Sequence, residues 1–359
     1  MSKKIGIITW HNGGNFGSVL QALALSSKLC ELGYDAEIIN YLPSPYGRFT
    51  FVRNLVVRIL SNILPRFKKR LYINSDSFRK KYMRQTNPLY NRSMLERAAT
   101  VYDVIVCGSD QIWAPNVINN VYFADFAPKG VRKISYAASI GLNEIPRCLT
   151  NVYKEKLKDF YAISIREDVG KELLKSRCDI NSSVVIDPTL LYGSTFYEKY
   201  EKSIKNIKHP FIFCYFLNDD NHYSSVVCNY AALYKLDIIG ISSCERDAKW
   251  MLRLHDIEPG GFLWLIHHAN CIFTDSYHGT IFSMLYHKRV WTFERFETND
   301  PINQNSRIFQ LHNYFGLTGI IINVETKELD STDIDYDRFE EQLTRLRLNS
   351  LNYLEKSLK

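Results

Sequence analysis

The stretch Cys271–Thr280, CIFTDSYHGT, holds the side chains best placed for chemistry. Its apolar residues predict a buried strand that runs out at Thr274, and a helical pattern follows from His278 to Tyr286. A helix start offers free backbone N–H groups and a positive dipole end, which together favour an anion. There His278 offers an imidazole to a ligand, Ser276 a hydroxyl, and Gly279 a close backbone approach. The competing reading is that Ser276 only caps the helix and His278 packs between strands. The turn type in an α/β setting favours the functional reading, whereas His267, His268 and His287 have no such context and read as surface or core.

Four further segments could work beside it. In GGNFGS, Gly13, Gly14 and Gly17 allow a tight turn and a near approach to a ligand, with Asn15 and Ser18 as donors. The segment is neither a GxGxxG fingerprint nor a lysine-bearing P-loop, and a plain βα turn is its other reading. GSDQIW follows VIVC and puts Asp110 and Gln111 at a strand's carboxyl end, with Trp113 as an apolar face for a sugar ring. Asp110 suits orienting or deprotonating a hydroxyl, or capping a helix. Arg166, in SIRED, and Arg307, in NDPINQNSRIF, are guanidiniums able to fork onto a carboxylate or phosphate. Glu258, before a Pro-Gly-Gly turn, reads as a general acid or base, a ligand-orienting group, or a loop carboxylate. Two arginines with His278 suit a small polyanion. Asn15, Gly14, Gly17, Gln111, Trp113 and Glu258 suit its reaction partner.

These residues need a frame. KIGIITW, the Gly-rich turn, a helical pattern over 19–32 and AEIINY make a βαβ opening, the mark of a parallel sheet covered by helices. Alternation resumes with YDVIVC, KISYAAS, YAISIRE and SVVID, and a second series runs from PFIFCYFL through LDIIGIS and CIFTDS to RVWTF. At roughly 100–200 residues per domain, 359 residues predict two. The expected fold is α/β, with two Rossmann-like doubly wound domains over 1–200 and 201–330, a polar boundary at 195–209, and one or two solvent-facing helices over 336–356 within the tail 331–359. The site belongs in the cleft at the carboxyl ends of the strands.

Net charge is +7, and residues 44–84 alone supply +10, leaving −3 elsewhere. Within that insertion Val52, Leu55, Val56, Ile59, Leu60 and Ile63 fall at helical spacing ahead of RFKKR. An amphipathic basic helix fits an anionic cytoplasmic leaflet or a solvated flap over the cleft. No nucleic-acid-binding module surrounds the charge. Eight cysteines occur singly, with no CxxC pair, and read as reduced thiols; no metal-ligand cluster is evident. No signal sequence and no apolar run of spanning length is seen, so a cytoplasmic protein, peripheral at most on the membrane's inner face, is expected.

Taken in order, GGNFGSVLQALAL, VIVCGSDQIWAP, ISYAASIG, ISIRED, VVIDPTLL, FTDSYHGTIFSMLYHKRV and NSRIFQLH resemble the polysaccharide pyruvyl transferase family over about 1–320. The resemblance implies a GT-B-like pair of domains and transfer of a pyruvate ketal group from phosphoenolpyruvate, as co-substrate and without a cofactor, to a sugar of a cell-surface polysaccharide or its lipid-linked precursor. By the same resemblance Arg166 and His278 bind the donor, and Arg307 is the best match to a later basic residue that also contacts it. Two rivals stand beside it. One is a GT-B-like glycosyltransferase whose nucleotide-sugar ribose is held by Glu258 or Glu294; the other is a non-catalytic membrane-associated scaffold for polysaccharide assembly.

Overall fold

A computed structural model describes residues 2–12, 15–42, 75–218, 221–242, 250–297, 300, 302–317, 320–323, 325–326, 329 and 333–359. Gly13, Gly14 and the insertion up to residue 74 lie outside the described residues. Six parallel strands make up the first half: β1 (Lys4–Ile8), β2 (Asp35–Ile38), β3 (Val104–Cys107), β4 (Arg132–Ser135), β5 (Ser164–Ile165) and β6 (Ser183–Val184). Their order is β2-β1-β3-β4, and the β5–β6 pair continues it through parallel bridges from Ile134 to Ala162 and from Ala138 to Ile165. The second half holds β7 (Phe211–Phe216), β8 (Asp237–Ser242), β9 (Leu252–Arg253), β10 (Cys271–Thr274), β11 (Arg289–Phe293) and β12 (Ile321–Ile322), ordered β12-β11-β10-β7-β8-β9 and also parallel. The central strands VIVC, FIFCYF and CIFT are buried at every position, as strands covered on both faces by helices must be.

Each sheet has one point where the strand order reverses, between β1 and β3 and between β7 and β10. The helix Phe16–Glu31 lies where the halves meet, and every residue from Phe16 to Ser26 is buried. Its apolar and small side chains on all faces suit it to that place. Phe16 stacks on Phe262 with ring centroids 4.6 Å apart and stands 5.5 Å from Tyr215, so the first helix plugs into the second half. The helix begins three residues earlier than its apolar pattern, because the Asn15 side chain caps it by accepting from Gly17 N at 2.8 Å. The expected boundary at 195–209 opens with a short helix, Ser194–Glu198, followed by irregular chain. At the end of the basic insertion, the helix Asp76–Tyr82 turns Phe78 and Tyr82 onto Tyr200, at 6.0 and 5.0 Å.

The C-terminal expectation needs correcting. Residues Tyr336–Leu358 form one helix, and Phe339, Leu343, Leu354 and Leu358 on it are 0% exposed. Near its start Phe339 meets Phe315 at 4.7 Å; toward its end Tyr353 Oη donates to the Ser135 carbonyl at 2.9 Å and Lys3 Nζ to the Leu358 carbonyl at 2.6 Å. Arg347 donates to the Leu190 and Tyr192 carbonyls, both at 2.7 Å. The helix therefore straps one half to the other. Its polar anchors made the apolar stripe look too sparse to be buried. No helix among the described residues is long and apolar enough to cross a membrane.

This docking predicts a contrast on one helix. Leu343→Ala should cost about 2–5 kcal/mol, while Leu348→Ala, at a position 59% exposed, should change stability by about 0.5 kcal/mol or less. Chemical denaturation of both variants checks it, and equal effects would mean the helix is not docked.

Candidate functional site

The carboxyl ends of β1 and β3 face those of β7 and β10, so both reversal points open onto one cleft. Six of the residues read from sequence line it: Asn15, Asp110 and Gln111 from the first half, Ser276, His278 and Arg307 from the second. The helix behind His278 spans Tyr277–Leu285, and Ser276 caps it by accepting from Gly279 N at 3.3 Å while also facing the cleft. Gly279 serves packing: a Cβ there would lie 2.5 Å from Thr274 Oγ1, so the glycine seats the helix on β10 and does not admit a ligand. Gly17 has the more direct role. A Cβ on it would stand 2.0 Å from His278 Nδ1, so the first helix's backbone runs against the imidazole.

Beneath His278 lies a group the sequence reading passed over. Asp187 follows β6 and is 0% exposed. Its Oδ2 accepts from Arg166 Nη1 at 2.7 Å and Ser109 Oγ at 3.0 Å and lies 3.5 Å from His278 Nε2; its Oδ1 accepts from Thr189 N and Oγ1 at 3.0 and 2.7 Å. Burial by itself would raise this carboxyl's pKa. His278 first, then Arg166 and the Thr189 amide, outweigh burial and hold it well below the usual carboxylate range. Asp187 thus ties a guanidinium from one half to an imidazole from the other. The signal in sequence was a lone acid ending the apolar run SVVI before Pro188.

Arg166 does not itself line the cleft; it is 2% exposed, its Nε and Nη2 have no hydrogen-bond partner, and Nε stands 4.0 Å from Glu167 Oε2. Its guanidinium carbon stands 4.6 Å from the Tyr277 ring centroid and that of Arg307 5.6 Å, so one aromatic ring meets both cations. The polar stretch around Arg307 folds into the helix Ser306–Phe315, which brings them together. One turn beyond Arg307, Gln310 donates to the Arg166 carbonyl at 3.0 Å and accepts from Asp168 N at 2.8 Å. Burial first, and then the Arg166 charge, lower the Arg307 pKa to about 10, which leaves it protonated near neutrality. Gln304 and Arg295, both unread in sequence, complete this wall: Gln304 Oε1 accepts from Gln111 Nε2, Arg295 Nη2 and Arg307 Nη2 at 2.8, 2.9 and 2.7 Å. Arg295 follows a buried strand just as Arg166 does, which was the available signal.

Asp110 caps no helix. Its φ of +78° lies in the left-handed region, uncommon for a residue with a Cβ, and such outliers gather at functional sites. Oδ2 accepts from Ser18 Oγ and Oδ1 from Gln111 N at 2.8 Å, so the carboxylate is fixed at the cleft wall. Opposite, Asp275 takes the backbone N–H groups of Leu217 and Asn218 at 2.7 and 2.8 Å and ties the ends of β7 and β10; burial raises its pKa to about 6.

Two expected ligand contacts stand elsewhere. Trp113 is fully buried, stacked on Phe123 at 5.4 Å with its indole N–H donating to the Tyr122 carbonyl, because an apolar indole behind a buried strand gains more from core packing than from the cleft. Glu258 accepts from Ser77 Oγ at 2.5 Å and Lys202 Nζ at 2.9 Å, and these bonds, the Ser77 one foremost, lower its pKa; it does not line the cleft. Glu201, His267 and His268 bring ligand atoms within 4.8 Å of one another, a grouping able to hold a metal, but none of the three lines the cleft. There Glu201 Oε1 is already engaged by His267 Nδ1 and Tyr286 Oη, at 2.8 and 2.9 Å.

Two predictions follow from this geometry. Gly17→Ala should destabilise by about 1–3 kcal/mol through the collision with His278, whereas in a His278→Ala background it should be neutral or stabilising by up to about 1 kcal/mol, alanine being the better helix former. A denaturation double-mutant cycle tests this, and equal costs in both backgrounds would contradict it. The second concerns pH. Desolvation above all lowers the buried His11 and His312 from 6.5 to about 4, so their contribution is complete above pH 6.5 and is lost as pH falls to 4. Asp275, raised to about 6, acts in the opposite sense, contributing below its ordinary pKa and losing that as pH rises through 6. At about 3 kcal/mol per group, two histidines outweigh one carboxyl. Tm should therefore fall between pH 6.5 and 4; a Tm that holds or rises contradicts this.

No curated protein matches the chain. Among solved structures it is similar to UDP-N-acetylglucosamine 2-epimerase from Rickettsia bellii (TM-score 0.51, 11% identity, covering 100% of this chain and 97% of that one). It is also similar to the UDP-GlcNAc 2-epimerase of Methanocaldococcus jannaschii in complex with UDP-GlcNAc and UDP (TM-score 0.50, 13% identity, covering 97% and 93%). Likeness at these identities shows the fold alone, two Rossmann-like domains in the GT-B arrangement. The profile of the polysaccharide pyruvyl transferase family matches residues 15–295, a span that holds Asn15, Asp110, Arg166, Asp187 and His278 and ends before Arg307. With most of its length inside that match, the chain belongs to the polysaccharide pyruvyl transferase family.

Proposed function

We propose that the cleft binds phosphoenolpyruvate and transfers its pyruvyl group to a glycan, giving a pyruvate ketal and inorganic phosphate. The observation that carries this reading is Arg166: a guanidinium 2% exposed against the cleft-lining Tyr277, with Nη1 on Asp187, Nη2 without a partner and Nε without a hydrogen bond, 4.0 Å from Glu167, beside His278 at a helix start. Buried donors without partners are costly unless a ligand satisfies them. Their charge and fork geometry select a carboxylate or phosphate.

The reaction adds a proton to the donor's methylene carbon and makes C2 electrophilic. One acceptor hydroxyl adds at C2, the C2–O bond to phosphate breaks, and a second hydroxyl closes the ketal. Of the two protons the hydroxyls give up, one balances that added at carbon and the other leaves with phosphate. In this scheme Arg166 and Arg307 hold the anionic groups, His278 contacts phosphate and moves a proton, and Asp110 withdraws one from the acceptor hydroxyl. With Nε2 turned to Asp187 and Nδ1 to Gly17, the imidazole is held in one orientation. The acceptor is a cell-surface polysaccharide or its lipid-linked precursor, and the +10 charge of residues 44–84 suits the chain to an anionic membrane that carries such a precursor. The nucleotide-sugar reading is weaker, because neither Glu258 nor Glu294 lines the cleft to hold a ribose.

The test measures phosphate released from phosphoenolpyruvate with a panel of glycan acceptors. Release should depend on acceptor and fall about 100-fold or more in His278→Ala and Arg166→Ala. Asp187→Asn should lower kcat and shift the pH profile, because Asp187 acts through His278 and Arg166. Release of UDP or GDP from a nucleotide sugar instead would overturn the proposal.

A further inference from the structure

Gln304 is hydrogen-bonded in an unusual way for a neutral side chain. Its single carbonyl oxygen accepts from an amide and two guanidiniums at once, at 2.8, 2.9 and 2.7 Å. An amide oxygen has two lone-pair sites, and two cations converging on one oxygen is the surrounding of a carboxylate or phosphate oxygen. Neither Arg295 nor Arg307 forms an ion pair among the described residues; Arg307 is 9% exposed, and its Nε has no partner. Asp110 and Asp275 line the same cleft, but no carboxylate pairs directly with either arginine among the described residues, and Gln304 supplies only a partial charge in its place.

Gln304's neighbours, and not its own side chain, hold the backbone. Asn305 Oδ1 accepts from Arg295 N and Phe296 N at 3.2 and 3.3 Å, Asn305 Nδ2 donates to the Phe296 carbonyl at 2.7 Å, and Asn303 Nδ2 donates to the Glu297 carbonyl at 2.8 Å. The Gln304 side chain can leave its place without disturbing the loop.

We infer that Gln111, Arg295 and Arg307 form an anion subsite for a carboxylate or phosphate group, and that Gln304 occupies it as a built-in stand-in which the ligand displaces. A charged oxygen makes stronger bonds to these donors than an amide does, so exchange favours the ligand, while the amide keeps the donors ordered in its absence. Gln111 comes from the first half and both arginines from the second, so the bound anion would hold the halves together. This reading draws on the proposed function only in naming phosphoenolpyruvate as the ligand, with one of its two anionic ends at this subsite and the other at Arg166 and His278.

The experiment is calorimetric titration of the full chain with inorganic phosphate and, separately, with phosphoenolpyruvate, with thermal melts showing that each variant is folded. Gln304→Ala should tighten binding of both anions about 3–10-fold by removing the internal competitor. Gln304→Met, of similar length and without the acceptor, should act likewise and replaces it if alanine unfolds the loop. Gln304→Glu should weaken both about tenfold or more, by fixing a carboxylate in the subsite, and Arg295→Ala should weaken both. Weaker phosphate binding in Gln304→Ala and Gln304→Met, an unaffected Gln304→Glu, or no phosphate binding in any form overturns the subsite. Phosphate behaving as expected while phosphoenolpyruvate fails to bind keeps the subsite and removes the donor assignment. Phosphoenolpyruvate binding with no response to any Gln304 variant does the reverse.

Discussion

The carboxylate of Asp187 is the point on which the site's arrangement turns. It sits at 0% exposure, takes Arg166 at 2.7 Å from its own half and stands 3.5 Å from His278 of the other. Burying one anion is unfavourable, and burying a lone guanidinium nearby would be worse; paired, and with Thr189 and Ser109 filling the remaining acceptor sites, each tolerates the other. Because the pair shares only one guanidinium nitrogen, Arg166 keeps Nη2 without a partner and Nε without a hydrogen bond, 4.0 Å from Glu167 Oε2. The same carboxylate that makes a buried cation acceptable also limits how far His278 can turn.

Such a carboxylate works only if the two halves keep a fixed relation, and much of the fold serves that. The first helix packs Phe16 against both Tyr215 and Phe262, and the C-terminal helix crosses back from Phe315 to the Ser135 carbonyl. Gln310 and Tyr314 reach from the helix Ser306–Phe315 to Arg166 and Asp168. Apolar burial gives these contacts their strength, and directional hydrogen bonds set their register. Glycine enters where a side chain would spoil the fit, most plainly at Gly17, whose missing Cβ leaves room for the His278 ring.

The cleft's charge is arranged at two poles that share one aromatic wall. Arg166 and Arg307 both stand against Tyr277, and Arg166 lowers the Arg307 pKa. Like charges held this close in a buried place favour any small dianion that can bridge them. Acidic groups at the margins have structural work as well: Asp275 binds two backbone amides, and Asp110 is fixed by Ser18. The cleft is therefore preorganised largely by the chain itself.

The alternation of strands and helices was legible in the sequence, because buried parallel strands are apolar throughout and most helices carry a 3.6-residue apolar stripe, the buried first helix being apolar or small on every face. The sequence also showed which polar residues follow those strands: of these Asn15, Asp110, Gln111, Ser276 and His278 line the cleft and Arg166 stands just behind it, whereas Arg307 was legible only as a guanidinium in a polar stretch. The rest depended on packing between distant segments. Trp113 and Glu258 have plausible side chains at plausible turns, but which way a side chain faces depends on neighbours far away in the chain, and theirs are Phe123 and Ser77. Asp187, Arg295 and Gln304 gain their meaning from partners up to 193 residues distant, as Gln304 does from Gln111. The C-terminal helix shows the same limit, because its docked face is completed by Arg347 and Ser350 hydrogen bonds that no hydropathy pattern contains. Local pattern follows from backbone geometry and apolar spacing, whereas convergence follows from how two sheets and their helices pack.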